Sequence, residues 1–371
     1  MLSCGEPSGD LYAGALVRAL RAQVGELEAF GLGGEQLAAA GATLIADFHG
    51  LSVTGLTEAL RVLPRSWVTY QRLVAAARER RPDVLVLVDY PDFNFHLMRA
   101  VKALGIPVVY YISPQLWAWR PGRMATMQAV VDRVLVIFPF EEAIYQQAGV
   151  DVRFVGHPLL EMTAPGAAPD QLRREFGLDP SRPVVALLPG SRVNELERLA
   201  PVLAGARDRL GSARPDLQFL VARAPRLDDG LFEGLAGTTI VEGRTDDVLS
   251  VSDVVLTASG TATVQAAIHG RPMVVLYKLS PMTYWLGKPL ARVDTYAMVN
   301  LIAGRRVVAE LIQEACTPEA VADEALRLLN DRGAYDEVAR ALAGVRAALG
   351  GVGASRRAAE AIVELVTARV R

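Results

Sequence analysis

The sequence predicts an α/β fold of the doubly wound type, arranged as two Rossmann-like domains followed by a helical tail. Three observations predict it. Short β-branched runs alternate with helical stretches along the whole chain. Those runs are continuously apolar rather than alternating, as expected of parallel strands covered on both faces. The rhythm stops once, over a strand-free stretch rich in Pro, Ala and Gly (161–183), and then restarts. With 371 residues the chain is long enough for two separate cores. The expected domains are residues 1–162 and 163–335, facing each other across a cleft. The alanine-rich helices of residues 336–371 would cross back onto the first domain or pair between two chains as a homodimer.

The chain opens on CGEPSGDLYAG, in which Gly5 and Gly9 flank Glu6 and Ser8. Almost no strand precedes this loop and its helix: either the first strand is very short, or the sequence begins inside it. Glycine lets a backbone approach a ligand closely; the plainer alternative is a tight turn with Ser8 or Asp10 as helix N-cap. Tyr12, Leu16, Leu20 and Val24 recur every four residues, giving the helix one apolar face. Buried-strand candidates follow at 84–88, 108–112, 134–138, 184–188, 217–222, 254–258 and 273–277.

Ligands of open parallel sheets bind at the carboxyl ends of strands, so the loops there matter most. In VLVLVDYPDFNFHL the strand ends at Asp89, with Asp92 and Asn94 in the turn beyond. A carboxylate there suits a general base, and partial desolvation would raise its pKa toward a useful value. Asp89 or Asp92 could equally cap the next helix. In YYISPQLWAWRPGRM, Trp117, Trp119, Arg120 and Arg123 suit sugar faces, phosphate or an interface, or else a core Trp pair with surface Arg. Gly190, Ser191 and Arg192 end the next strand, where a helix N-terminus and a guanidinium favour phosphate. Ser259, Gly260, Thr261, Ala262 and Thr263 repeat that arrangement. Two such loops in one half suit a diphosphate better than two independent caps.

Composition narrows the partners. A net charge of −2 argues against a nucleic-acid binder held by a global positive field. Two cysteines and four scattered histidines build neither a disulfide framework nor a metal site, so no metal or cofactor is expected and a reducing compartment is. No apolar run approaches the ~18 residues of a membrane span, and the opening residues do not read as a signal peptide. Residues 61–82 carry six arginines and one glutamate around Trp67. Such a segment rests on an anionic membrane surface or is simply a solvated helix face.

Taken together, the motifs resemble one family, the lipid-A-disaccharide synthases, glycosyltransferases of the GT-B fold. GEPSGD (5–10), DYPDFN (89–94), YISPQLWAWR (111–120), PFE (139–141), FVGHP (154–158), LLPGSR (187–192), SGTAT (259–263), RPMVVLY (271–277), NLIAGR (300–305) and ELIQE (310–314) stand in the family's order. The resemblance implies an inverting transfer in lipid A biosynthesis. The donor is UDP-2,3-diacylglucosamine and the acceptor 2,3-diacylglucosamine 1-phosphate; the products are the β-1′,6-linked disaccharide 1-phosphate and UDP. It implies Asp89 as candidate base and Glu6 as a functional loop carboxylate near the acceptor; which of Asp89, Asp92 and Glu6 takes the proton stays open. Gly190, Ser191, Arg192, Ser259–Thr263 and Gln265 would hold UDP. Ser8, Asp92, Asn94, Trp117, Arg120, Asn300 and Arg305 would line the cleft. Acylated substrates imply peripheral contact with the cytoplasmic face of the inner membrane, through the Arg-rich segment of the first domain.

Several positions depart from the family pattern. Pro7 stands where GEASGD has Ala, Thr54 replaces a Met, and Met298 and Val299 alter the SLPNL motif. Gln265 stands where the family has a glutamate. A neutral acceptor binds ribose hydroxyls less strongly than a charged one, by roughly 1 kcal/mol. On that basis Gln265→Glu is expected to lower the donor KM. Two rival readings are a non-hydrolysing UDP-sugar 2-epimerase and a non-catalytic UDP-lipid binding protein.

Overall fold

The computed structural model describes residues 1–49, 51, 56–116, 121–279 and 295–370. They form two compact units, Met1–Pro158 with Leu349–Arg371, and Leu159–Pro289 with Val293–Ala348. Each unit has its own all-parallel sheet and its own apolar core.

In the first unit the strands are β1 (Leu2–Cys4), β2 (Phe30–Gly33), β3 (Thr43–Asp47), β4 (Leu85–Val88), β5 (Val108–Tyr111), β6 (Arg133–Val136) and β7 (Val152–Phe154). Their spatial order is β3-β2-β1-β4-β5-β6-β7. In the second unit they are β8 (Val184–Leu188), β9 (Gln218–Arg223), β10 (Thr239–Glu242), β11 (Val254–Ala258), β12 (Met273–Tyr277) and β13 (Ala309–Ile312). Their order is β10-β9-β8-β11-β12-β13. Both sheets grow outward from a central strand and then resume on its other side. The reversal falls between β1 and β4 in one, and between β8 and β11 in the other. All seven apolar runs singled out in the sequence become strands of these sheets; six are buried on both faces over most of their length, and β9 is buried at its centre.

The first helix, Pro7–Val24, starts with Pro at its first position, where the missing N–H costs nothing. Tyr12, Leu16 and Leu20 are buried as the spacing predicts, but Val24 in the last turn is 44% exposed. Its N-cap is Glu6, not Ser8 or Asp10. Asp10 is buried and points the other way. It accepts hydrogen bonds from the N–H groups of Gly34 (2.7 Å), Gln36 (2.8 Å) and Leu37 (3.1 Å), holding the start of the helix Glu35–Ala39. The C-terminal helix Ala354–Val370 packs against Pro7–Val24.

Candidate active site

In the first unit, the register Cys4↔Val88 sets the GEPSGD loop beside the DYPDFN turn. Gly5 is required there, since a Cβ would lie 2.2 Å from the Tyr90 ring. Asp89 and Tyr90 both adopt left-handed backbone, with φ of 47° and 51°. Two consecutive non-glycine residues in that region must be held by their surroundings. Asn94 Nδ2 (2.7 Å) and the Tyr110 hydroxyl (2.8 Å) both donate to the Asp89 carbonyl. The Ser3 hydroxyl in turn donates to Asn94 Oδ1 at 2.7 Å. Asn94 is therefore fully buried and committed to the turn; it does not line an open surface as its motif position suggests.

The half-buried Asp89 carboxylate acts on its neighbours. Burial first, then the charge of Asp89, pushes the Tyr110 hydroxyl well above the usual tyrosine range; burial, then Tyr111 and last Asp89, does the same to Tyr12. Burial, followed by the charge of Glu6, pushes Tyr90 up to about 12. Glu6 is half-buried and Ser8 lies in the first turn after it. His157, from FVGHP, meets the edge of Tyr12 with ring centroids 6.1 Å apart; burial lowers its pKa to about 3, so it is a neutral imidazole. Asp92 is mostly exposed and pairs with Arg123 at 2.7 Å. Trp117, Trp119 and Arg120 lie outside the described residues, as does Thr54.

In the second unit, the register Leu188↔Thr257 brings the two Ser/Gly loops out of neighbouring central strands at the same carboxyl end of the sheet. Gly190, at φ 119°, leads into the helix Val193–Ala213, whose N-cap is Arg192. The Glu195 carboxylate sits over this turn, accepting from the Ser191 N–H (3.1 Å) and Arg192 Nη1 (3.2 Å). Glu195 thus occupies donors that the sequence assigns to phosphate. In the second loop the donors are fewer than expected. The Ser259 N–H is bonded to Leu276 O (2.9 Å), and Thr263 turns both N–H (3.0 Å) and hydroxyl (2.8 Å) onto Gly260 O. The N–H groups of Gly260, Thr261 and Ala262 have no backbone partner outside the helix among the described residues. The helix they open, Thr261–Ile268, carries Gln265, whose Nε2 lies 3.4 Å from Asp246 Oδ1.

Asn300 departs from its expected place. It is 1% exposed, donates to Val308 O (3.0 Å) and Glu310 Oε1 (2.6 Å), and accepts from the N–H groups of Val307 (2.7 Å) and Val308 (3.0 Å). It is a buried clamp, whereas Arg305 is exposed. Sequence reasoning also passes over a cavity of about 530 Å³ past the carboxyl ends of β12 and β13, lined by Arg198, Lys278, Leu279, Gln313 and Glu314. The signal is present: Lys278 follows the apolar run 273–277 directly, as Ser259 follows β11.

A family model described as lipid-A-disaccharide synthetase matches residues 1–362. The chain is 45% identical to the lipid-A-disaccharide synthase of Myxococcus xanthus, covering 99% of this chain and 97% of that one. It is 42% identical to that of Geobacter sulfurreducens, covering 100% and 98%. Among solved structures, a UDP-GlcNAc 2-epimerase from Neisseria meningitidis bound to UDP-GlcNAc has a TM-score of 0.67 at 13% identity, covering 99% of this chain and 98% of that one. The calicheamicin glycosyltransferase CalG4 has a TM-score of 0.61 at 17% identity, covering 100% and 98%. At these identities the two structures speak for a shared fold alone. Matched by one family model over nearly its whole length and by full-length relatives at 42% and 45% identity, the chain belongs to the lipid-A-disaccharide synthase family of GT-B glycosyltransferases.

Proposed function

We propose that the chain transfers 2,3-diacylglucosamine from UDP to the 6-hydroxyl of 2,3-diacylglucosamine 1-phosphate, with inversion. The family match over residues 1–362 carries this reading. Two features of the fold support the assignment of roles. The GEPSGD and DYPDFN loops leave the strands at which the first sheet reverses, and the PGSR and SGTAT loops leave the corresponding strands of the second. Ligands of open α/β sheets bind at such points.

In this mechanism Asp89 takes the proton of the acceptor hydroxyl as that oxygen attacks C1 of the donor sugar. The bond from C1 to the phosphate oxygen breaks on the opposite face, and its electron pair leaves on UDP. Arg192 and the N–H groups of Gly260, Thr261 and Ala262 stabilise the departing charge. Glu6 orients the acceptor. The test is mass spectrometry of a reaction with both acylated substrates. A disaccharide 1-phosphate with UDP supports the reading; an epimerised UDP-sugar, or UDP binding without turnover, overturns it.

Acylated substrates also call for a membrane surface, and we propose peripheral contact with the cytoplasmic face of the inner membrane. No helix among the described residues is long and apolar enough to cross a bilayer. The helix Leu56–Arg80 instead exposes Leu63 (56%), Trp67 (61%) and Val68 (50%) near exposed Arg65 and Arg72. This is the composition of an interfacial helix on anionic lipid. Arg80 and Arg81 also serve the fold, at Glu28 (3.4 Å) and Leu104 O (3.3 Å). Flotation with anionic liposomes should therefore weaken more for Leu63→Ser/Trp67→Ser than for Arg80→Ala/Arg81→Ala. Equal flotation of Leu63→Ser/Trp67→Ser and the unaltered chain would exclude this helix as the anchor.

A further inference from the structure

We propose that Asp246 is a positioning residue that fixes the Gln265 amide with its carbonyl oxygen toward the hydroxyls of the nucleoside diphosphate donor. The proposal rests on the donor-site reading above and concerns how this chain manages without a carboxylate at position 265.

Gln265 lies one helical turn beyond Thr261, so the two share a face of the helix Thr261–Ile268. That face is the open one: Thr261 is exposed and Gln265 half-buried, while Thr263, Val264, Ala266, Ala267 and Ile268 are buried. Asp246 belongs to the first turn of another helix, Thr245–Val251. Its Oδ1 receives Gln265 Nε2 at 3.4 Å and stands 3.1 Å from His269 Nε2. An ionised carboxylate only accepts hydrogen bonds. It therefore selects the amide orientation with Nε2 toward Asp246, and it selects the Nε2–H form of His269. The Gln265 carbonyl oxygen is left facing away, and among the described residues it accepts no hydrogen bond. An amide that alone could donate or accept becomes a fixed acceptor suited to hydroxyl groups.

The same geometry reverses the expectation from sequence. A glutamate at position 265 would not simply add a stronger acceptor. It would set a second carboxylate against Asp246, and two like charges at hydrogen-bond range disfavour each other's ionised forms. In this chain the negative charge of the subsite stands at Asp246 and the amide at Gln265.

A charge swap tests this. UDP affinity by calorimetry, donor KM and kcat are measured for the unaltered chain, Gln265→Glu, Asp246→Asn and the double variant Asp246→Asn/Gln265→Glu, with melting temperature as the folding control. Each single variant should raise the UDP Kd and donor KM about three- to tenfold with kcat nearly unchanged, the size of one lost polar contact. The double variant should recover most of that loss, because the amide introduced at position 246 can donate to the carboxylate introduced at position 265. Tighter UDP binding by Gln265→Glu alone, or a double variant no better than the worse single one, overturns the proposal. Absence of UDP binding by the unaltered chain overturns the donor-site reading itself, and this inference with it.

Discussion

Asp89 stands out at the residue scale because its backbone is as unusual as its position. It and Tyr90 are held left-handed, with Asn94 and Tyr110 both donating to the Asp89 carbonyl, which fixes the backbone that carries the carboxylate. Asp89→Asn keeps the side-chain shape and removes the proposed base. It should lower kcat about 10²- to 10⁴-fold with little change in melting temperature; near-normal turnover would remove Asp89 from the base role. Asn300 gives the opposite signature. Its amide is saturated by four hydrogen bonds, so Asn300→Ala should cost about 2–3 kcal/mol in urea unfolding while leaving UDP affinity of the folded protein intact. Glu195 is a third case. Its carboxylate holds Ser191 N–H and Arg192, and a diphosphate bound at this turn would have to displace it. Glu195→Gln should tighten UDP binding about three- to tenfold at low salt, and the gain should shrink as salt screens it. Unchanged affinity in calorimetry would mean the phosphates bypass this turn.

At the scale of elements, what is legible in the sequence follows burial. The runs at 184–188, 254–258 and 273–277 coincide with β8, β11 and β12, because strands covered on both faces leave a continuous apolar signal. β3 and β13 mark sheet edges; TLIAD and AELI mix polar residues into them and carry no such signal. β1 is central yet only three residues long, so the loop after it is easier to see than the strand. Motif position picks out polar residues but cannot tell a ligand contact from a buried clamp, since both demand a fixed polar residue. Asn94 and Asn300 are assigned to the cleft by their motifs for that reason, and both prove to be clamps. Element packing also fixes a pH effect. The turn after β7 inserts His157 between Tyr12 and Phe138, and burial lowers its pKa from 6.5 to about 3. The unfolded chain then binds a proton that the folded one refuses. Stability from this group is full above about pH 6.5 and falls as pH drops toward 3, by up to about 1.4 kcal/mol per unit. His157→Gln, neutral throughout, should flatten that part of the stability-pH curve; an unchanged slope would show that other groups dominate.

For the whole molecule, the consequential feature is that the chain returns to its first unit at Leu349. Arg357 makes the return specific, donating to Val155 O (2.8 Å), Gly351 O (2.7 Å) and Val352 O (2.8 Å). Arg133, 8% exposed, reaches from β6 to Ala361 O (2.8 Å) and to Asp151 (2.7 Å). Ala354, Ala358, Ala359 and Ile362 are buried in the C-terminal helix. Removing residues 349–371 would strip apolar cover and carbonyl partners from the unit that holds Asp89, but would touch none of the contacts drawn around Arg192, Gly260 or Gln265. The truncated chain should lose turnover, and its first unit should melt about 10 °C or more lower, as expected for several kcal/mol lost from a unit of this size. UDP binding should survive, because the second unit has its own sheet and core. Calorimetry with UDP, run beside the turnover assay on the same preparation, separates the two outcomes. Parallel loss of UDP affinity and turnover would mean the donor site depends on the returning segment, and that the two units do not divide the work as proposed.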